Sequence, residues 1–408
     1  MYAFFLMTVI RKVVFMFSND RFGFITSNKW MRAGYGELTR QFFTGYTNPK
    51  IIVDLGGNIF ENATVDTNIL LFSKSKNMGE TQGVTVDKET MGGLENMNSY
   101  VLQNQSVCTF KGNDSWVILS PIEQSIKLKM EAIGTPLKNW NIEINYGVKT
   151  GCNDAFIIST EKRNKILSNC QNDEERQRTE DLIRPILRGR DIKRYSYKWA
   201  GLWLIAFFPA RNYNIDDYPS VKTHLESYAG GHGRELLAQT GRTHIIDGIP
   251  LKSRKKTNNK WFEVQDSIGY WKCFALPKIV YGQFQDSAEY SFAEEHVFLS
   301  SNEYVLITNN YSAKCLLAFL NSKPSEWMLG HIAGSLGGNA KIGQKSNFLK
   351  LPVPILSVQQ QKQYDDIVSD ILSMKKHGLD SCQEEKRIDN LIYQLYNLTP
   401  EEIAVIEQ

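Results

Sequence analysis

The chain has 408 residues, enough for two or three domains, and 42% of them are apolar, 22% charged and 12% aromatic. This composition is typical of a folded globular protein and excludes disordered and fibrous classes. The 47 Lys and Arg nearly balance the 44 Asp and Glu. The net charge of +3 therefore carries no evidence for a nucleic-acid partner, which only local clusters could indicate. Six cysteines without a Cys-x-x-Cys pair argue against a zinc ribbon and a disulfide framework, and fit the reducing cytoplasm.

The N-terminal apolar run covers only residues 1–10, and Arg11 and Lys12 interrupt it. A membrane-spanning helix needs about 20 apolar residues, and a signal peptide needs a small-residue cleavage site that does not follow here. We therefore expect a buried helix over residues 1–17, and neither export nor membrane integration.

Alternating patterns follow that helix. They predict a helix at residues 35–44 and strands at 21–27 (RFGFITS), 51–56 (IIVDLG) and 67–72 (TNILLF). Continuous apolar strands between helices are typical of a doubly wound α/β sheet that is covered on both faces. Residues 74–105 are polar and rich in Gly, Asn, Thr and Ser, so we expect them to lead out of this first domain.

The pattern changes to short strands between long loops from about residue 135. The strongest strand signals are at residues 203–208, 278–284 and 304–308, and the Gly-, Thr- and Lys-rich segment 229–260 predicts a loop. The chain becomes helical after residue 356. Apolar residues at helical spacing predict one helix from about residue 358 and a second through 388–395. A capping box at Thr399 to Glu402, with Pro400 in the first turn, predicts a third.

Two groups of segments resemble known DNA-modifying enzymes. The N-terminal segments GFITSNKWMRAGYGELTRQFF and IIVDLGGNIFENATVDTNILLF resemble the second half of the catalytic domain of adenine-N6 DNA methyltransferases. A later, ordered series resembles the TaqI-like target-recognition domain that follows this half in type II (type IIG) restriction-modification enzymes. Its segments are INYGVKTGCNDAFII, IRPILRGRDIKRY, NKWFEV, PKIVYG, LLAFLNS and LKLPVPI. The ending IDNLIYQLYNLTPEEIAVI is similar to the closing helices of such enzymes.

The resemblance implies a partial doubly wound methyltransferase sheet at residues 1–75 and a connecting linker at 76–134. It implies an α+β target-recognition domain at residues 135–356 and C-terminal helices at 357–408. The implied function is recognition of a double-stranded DNA sequence for adenine-N6 methylation, in restriction-modification or phage defence.

The catalytic motifs of the family are absent from this sequence. The complete enzymes hold S-adenosylmethionine on a Gly-rich loop after a strand, and an Asn-Pro-Pro-Tyr loop holds the target amine. None of the 12 prolines here adjoins another, and neither Gly34-Tyr35-Gly36 nor Gly230-Gly231-His232-Gly233 follows a strand. We therefore expect no catalytic residue and no bound cofactor in this chain alone. The chain then begins inside the methyltransferase domain, and a separate chain with the missing half, or a nuclease, is the implied partner.

One pocket residue carries over from the family. An aromatic side chain at the end of the last core strand lines the pocket for the extruded adenine, and segment 65–75 places Phe72 at that position. Without the resemblance, Phe72 would be an ordinary strand-end core residue, and both interpretations remain open.

Two basic clusters are candidates for contact with DNA phosphates. Residues 184–194 carry a local charge of +4, and residues 252–260 carry +5 beside Trp261. Arg and Lys bind phosphate, and Arg does so with bidentate geometry. The predicted backbone contacts are Lys252, Arg254, Lys255, Lys256, Lys260, Arg188 and Arg190. A solvated surface is the alternative for the second cluster, and local structural anchoring is the alternative for the first.

Gln283 and Gln285 follow a predicted strand, and glutamine can pair with adenine in the major groove. An ordinary strand-end role is the alternative for both. The six histidines show no metal-binding spacing, and no acidic motif indicates a nuclease.

A non-catalytic alternative also fits the later segments. The target-recognition domain and spacer helix of type I specificity subunits resemble LLAFLNS to LKLPVPILSVQQQKQYDDIVSDIL. Such subunits bind DNA without chemistry, but they do not begin with methyltransferase strands. A third alternative is a gene fragment without activity.

Overall fold

A computed structural model describes residues 21–57, 59, 65–86, 94–229, 241–246, 248–285, 287–333 and 343–408. At residues 94, 229, 244, 246, 249, 251, 252 and 333 it describes the backbone alone. The helix predicted over residues 1–17 and the Gly-rich segment 230–233 lie outside these ranges. Within them, no helix has the length and apolar character needed to cross a membrane.

The chain divides into two compact units. The first comprises the chain up to Ile133 with residues 330–336 and 396–408, and the second comprises residues 134–329 and 337–395. The elements before residue 134 are β1 (Arg21–Ser27), α1 (Lys29–Arg32), α2 (Glu37–Tyr46), β2 (Asn48–Gly56), β3 (Thr67–Ser73), β4 (Thr81–Thr85), α3 (Met97–Asn104), β5 (Ser106–Cys108) and α4 (Pro121–Ile133).

The rest of the described chain contains short strands and, near its end, longer helices. These elements are β6 (Thr135–Pro136), β7 (Ile142–Tyr146), α5 (Asn153–Phe156), β8 (Ile157–Ser159), α6 (Thr160–Ser168), α7 (Asp173–Leu182), β9 (Ile183–Leu187), β10 (Ile192–Lys193), β11 (Ser196–Tyr197), β12 (Leu202–Ile205), α8 (Pro219–Ala229), β13 (Thr243–Ile246), β14 (Ile249–Lys252), β15 (Lys278–Gly282), β16 (Tyr290–Ala293), β17 (Phe298–Leu299), β18 (Glu303–Thr308), α9 (Ala313–Leu320), α10 (Lys323–Ala333), α11 (Lys345–Phe348), β19 (Pro352–Val353), α12 (Val358–Lys376), α13 (Cys382–Leu395) and α14 (Pro400–Ile406).

The first unit is built on a five-stranded mixed sheet with the order β1-β3-β2-β4-β5. Strand β3 pairs antiparallel with both β1 and β2, and only β2 and β4 pair in parallel. The strands predicted at residues 21–27, 51–56 and 67–72 are confirmed, and α2 begins two residues later than predicted. This sheet with its accompanying helices confirms the mixed α/β content that the pattern predicted, whereas the doubly wound methyltransferase arrangement stays a prediction.

Residues 76–134 are not merely a linker, which corrects the prediction. They supply β4 and β5 to the sheet and the helices α3 and α4 to the first unit. The glycine in β4 has a packing reason: a Cβ at Gly83 would lie 2.8 Å from the Cys108 sulfur. The polar residues that predicted a linker therefore include a short strand, β4, which packs closely against β5.

The second unit contains two four-stranded sheets around one core. The first has the order β17-β9-β12-β8, and the second has the order β16-β15-β18-β7. The strands predicted at 203–208 and 278–284 are confirmed but end earlier, at Ile205 and Gly282, whereas β18 agrees closely with the prediction. Apolar residues of both sheets form one cluster, including Ile186, Leu204, Val280 and Val305.

The segment 229–260 contains a β-hairpin, so the prediction of a loop throughout it is wrong. Strands β13 and β14 pair antiparallel, with Ile245 opposite Pro250. Gly248 between the strands has a φ of 78°, a conformation that glycine adopts readily and that a two-residue hairpin turn requires. The Asp-Gly sequence at residues 247–248 was the local signal for this turn.

The two C-terminal helices predicted from periodicity are confirmed as α12 and α13, and the helix predicted from the capping box is confirmed as α14. The capping box of α14 is present: the Thr399 hydroxyl accepts from the backbone N–H of Glu402, whose carboxylate accepts from the Thr399 N–H. The Glu402 carboxylate also accepts from the Ser125 hydroxyl at 2.6 Å and the Lys129 ammonium at 2.7 Å, which fixes α14 against α4 within the first unit.

Candidate nucleic-acid interface

The basic segment 252–260 splits into one buried side chain and several exposed ones. Arg254 is 3% exposed, and its guanidinium donates to the carbonyl oxygens of Glu263 at 2.6 Å and Trp261 at 2.7 Å. Burial lowers the pKa of this guanidinium. The predicted phosphate contact by Arg254 is therefore wrong for this conformation, because its donors are turned inward to backbone carbonyls.

Arg254 also supports the loop that follows β7. A Cβ at Gly151, whose φ is 77°, would lie 2.9 Å from the Arg254 side chain. Within this loop the Thr150 hydroxyl donates to the Asn153 side chain at 2.6 Å and accepts from the N–H of Cys152. The segment GVKTGCN (residues 147–153) thus forms a tightly hydrogen-bonded loop, and the Arg254 side chain packs against its Gly151.

Lys255 and Lys256 are both exposed directly after Arg254. Lys260 is exposed too, but its ammonium donates to the Asn212 side chain at 3.0 Å and to the carbonyl of Tyr213 at 2.9 Å. Nothing is described of the Lys252 side chain. The two adjacent lysines are therefore the members of the cluster that are most open to a phosphate.

The first basic cluster is largely committed to local structure. Arg188 makes a bidentate ion pair with Asp191, with N–O distances of 2.9 and 2.8 Å. Hydrogen bonds from the Arg188 side chain and backbone lower the pKa of Asp191 in spite of its burial, which acts in the opposite direction. Arg194 pairs with Glu385 at 2.7 Å. Arg190 is exposed, so among the arginines predicted to contact DNA here, it offers the better phosphate contact.

The two glutamines predicted to contact base edges differ in accessibility. Gln283 is half-buried, and its backbone N–H donates to the carbonyl of Asn302 at 2.8 Å. Gln285 is only 7% exposed. A base contact by Gln283 is compatible with this arrangement, whereas Gln285 would first have to turn its amide outward.

Phe72 lies in the aromatic core of the first unit. It is 1% exposed and stacks with Phe22 and Phe24, with ring centroids 5.6 and 5.9 Å away. Phe43 meets it edge-on at 5.1 Å. Contact with an adenine remains a prediction, and it requires that the ring be uncovered.

The Gly-rich turn that follows α1 packs closely against that helix. Gly34–Gly36 form a 3-10 turn, and a Cβ at Gly36 would lie 2.0 Å from the carbonyl oxygen of Trp30. Arg40 donates to this same carbonyl and to that of Ala33, so the turn is packed against protein.

No group of three or more His, Cys, Asp or Glu side chains is placed to hold a metal ion in the part of the chain that the structure describes. All six cysteines are free thiols.

A row of four tyrosines crosses the second sheet of the second unit, and the sequence analysis did not identify it. Tyr290, Tyr281, Tyr304 and Tyr146 are partners in register on neighbouring strands, with successive ring centroids 5.2, 5.1 and 4.9 Å apart. The first three are at most 2% exposed, whereas Tyr146 is 49% exposed. We call these four residues the tyrosine row. Periodicity alone could not find it, because it depends on the register of strands far apart in sequence.

Comparison with known proteins connects this geometry to restriction and modification. Residues 184–353 match the TaqI-like C-terminal specificity domain. The type II methyltransferase M.BstVI of Geobacillus stearothermophilus is 20% identical over 409 aligned residues, which cover 94% of this chain and 65% of the relative. The type II methyltransferase M.PaeR7I of Pseudomonas aeruginosa is 19% identical over 357 residues, with coverages of 84% and 57%. The chain is homologous to both, and it spans less than two thirds of the length of either.

The fold also has a solved counterpart. The type IIL restriction-modification enzyme MmeI, solved in complex with DNA, superposes with a TM-score of 0.52 at 12% sequence identity. The match covers 99% of this chain and 50% of that protein. The match to the TaqI-like specificity domain confirms the expected resemblance over residues 184–353, which lie within the predicted range 135–356.

Proposed function

We propose that this chain recognises a specific DNA sequence for adenine-N6 methylation in a restriction-modification or phage-defence system. The observation that carries the proposal is the match of residues 184–353 to the TaqI-like C-terminal specificity domain. Homology to two type II methyltransferases supports the link to methylation, and the DNA-bound relative of similar fold supports DNA as the partner.

In this proposal, exposed cations of the second unit contact the phosphates of the DNA backbone. Lys255, Lys256 and Arg190 are exposed, and they carry the charge that attracts phosphate without regard to sequence. Gln283, at the end of β15, supplies an amide that can donate to and accept from a base edge. Affinity then depends mainly on the cations, and discrimination depends on side chains at strand ends.

Methyl transfer needs groups that residues 1–408 do not contain. The sequence has no Asn-Pro-Pro-Tyr loop, and Gly36 of its Gly34–Gly36 turn packs against the Trp30 carbonyl, which also accepts from Arg40. S-adenosylmethionine is the methyl donor of the proposed complete enzyme, and in this proposal another part of that enzyme binds it. The chain by itself contributes target recognition, as a non-catalytic specificity subunit would.

Two assays test this division of roles. Fluorescence anisotropy with labelled duplexes should show DNA binding, and the logarithm of the affinity should fall linearly with the logarithm of the salt concentration. Incubation of the chain with labelled S-adenosylmethionine and adenine-containing duplexes should leave N6-methyladenine unlabelled. Absence of DNA binding at low salt contradicts the recognition role, and labelled N6-methyladenine contradicts the non-catalytic one.

A further inference from the structure

Four side chains lie near one end of the sheet β16-β15-β18-β7. Tyr146 is the last residue of β7, Asn302 directly precedes β18, and Gln283 and Phe284 directly follow β15. The N–H of Gln283 donates to the carbonyl of Asn302 at 2.8 Å, and the N–H of Gly147 donates to the carbonyl of Glu303 at 2.8 Å, so these strand ends are joined. We call Tyr146, Gln283, Phe284 and Asn302 the sheet-end surface.

Two of these side chains expose aromatic rings to solvent. Tyr146 is 49% exposed and Phe284 is 62% exposed. Single exposed apolar residues are ordinary on protein surfaces. Here, however, two rings lie on joined strand ends beside two amide side chains, and Asn302 is itself exposed.

The Tyr146 ring is held in place by the tyrosine row. Its centroid is 4.9 Å from that of Tyr304, which is 5.1 Å from Tyr281 in turn. Phe348 stacks on Tyr281 at 5.0 Å with an interplanar angle of 20°. Because the inner rings are buried, the Tyr146 ring rests on a fixed surface. Little further conformational entropy of this side chain is therefore lost when a flat ligand stacks on it.

Aromatic faces beside amide groups match the chemistry of nucleobases. A base offers a π-face for stacking and an edge with donors and acceptors for an amide. We propose that Tyr146 and Phe284 stack on base faces of bound DNA, while Gln283 and Asn302 contact base edges. This inference rests on the proposed recognition of DNA and adds that the bases must be partly unstacked at this surface, since a π-face is otherwise covered within the duplex.

Photochemical crosslinking tests the contact directly. Thymidine in random-sequence duplexes is replaced by 5-iododeoxyuridine, which crosslinks to an adjacent aromatic ring on irradiation. The full chain is then digested with trypsin, and crosslinked peptides are identified by mass spectrometry. We expect DNA on Tyr146 in the peptide of residues 139–149 and on Phe284 in the peptide of residues 279–314. Crosslinks that lie only elsewhere contradict the inference.

Matched variants separate stacking from general binding. Loss of one base stack should weaken binding about 5- to 150-fold, so Tyr146→Leu and Phe284→Leu should each lose affinity in this range. Tyr146→Phe keeps the ring and should stay within about twofold of the wild type, since it removes only a hydroxyl. The salt slope should be unchanged in all three, because no phosphate contact is removed.

The outcomes distinguish this inference from the proposed function. If the wild type binds DNA with the expected salt dependence but both leucine variants bind equally well, the stacking inference is wrong and DNA recognition stands. If the wild type does not bind DNA at any salt concentration, both are wrong. The urea midpoint of each variant is measured in parallel, so that a loss of affinity counts only for a variant that remains folded.

Discussion

In the basic segment 252–260, we expect the buried Arg254 to stabilise the fold and the exposed Lys255 and Lys256 to bind DNA. Arg254→Met removes two hydrogen bonds from a buried guanidinium and leaves the carbonyls of Trp261 and Glu263 without this donor. Hydrogen bonds to charged groups each contribute about 1.5–3 kcal/mol, so the variant should lose about 3–6 kcal/mol of unfolding free energy. Lys255→Ala/Lys256→Ala removes two exposed cations and should change stability by less than about 0.5 kcal/mol per site.

DNA binding should show the reverse pattern. If both lysines contact phosphates, the double alanine variant should lower the slope of log affinity against log salt by about 1.8. From about 50 to about 200 mM salt, the wild type should then lose about 12-fold more affinity than the variant. Urea denaturation measures the first effect, and fluorescence anisotropy with random-sequence duplexes measures the second. A stable Arg254→Met protein with a reduced salt slope, or an unchanged slope in the lysine variant, would refute the assignment.

Two further predictions concern stability. Burial lowers the pKa of His224, whose Nε2–H donates to the carbonyl of Ala155, so the neutral ring is favoured in the folded state. The contribution of His224 to the free energy of unfolding should be fully present above the ordinary imidazole pKa of about 6.5 and should decline as the pH falls below it. Urea midpoints should show this decline, and His224→Gln should flatten it; equal pH profiles would contradict the argument. Lys278 donates to the carbonyls of Phe274, Leu276 and Glu294 from a fully buried position, so by the same count of hydrogen bonds Lys278→Met should cost at least about 4 kcal/mol, whereas exposed Lys255→Met serves as the near-neutral control.

Local chemistry explains which elements the sequence could predict. The strands β2 and β3 have dense β-branched residues, and the capping box at Thr399 specifies the start of α14 within four residues. Such signals lie within the element itself. The linker prediction for residues 76–134 failed because Gly83 looks like a loop residue locally, and its contact with Cys108 is made across the sheet.

The site was harder to predict because contacts with residues far away in sequence decide which of its side chains are buried and which are exposed. Arg254 and Lys255 are neighbours in sequence, but only Arg254 reaches the Gly151 loop, about a hundred residues earlier, and the carbonyls near Phe262. The tyrosine row likewise joins residues from four strands through their register. Composition can locate a basic cluster, but only the fold decides which of its members face solvent.

Sequence preference is the most direct test of the central claim, that this chain recognises a defined DNA sequence. The purified chain is incubated with a pool of random duplexes in the presence of non-specific competitor, and bound DNA is recovered, amplified and sequenced over several rounds. A specificity domain should enrich one motif, whose substitution at single positions costs about 1–3 kcal/mol each. Recovery of DNA without any enriched motif would contradict the claim.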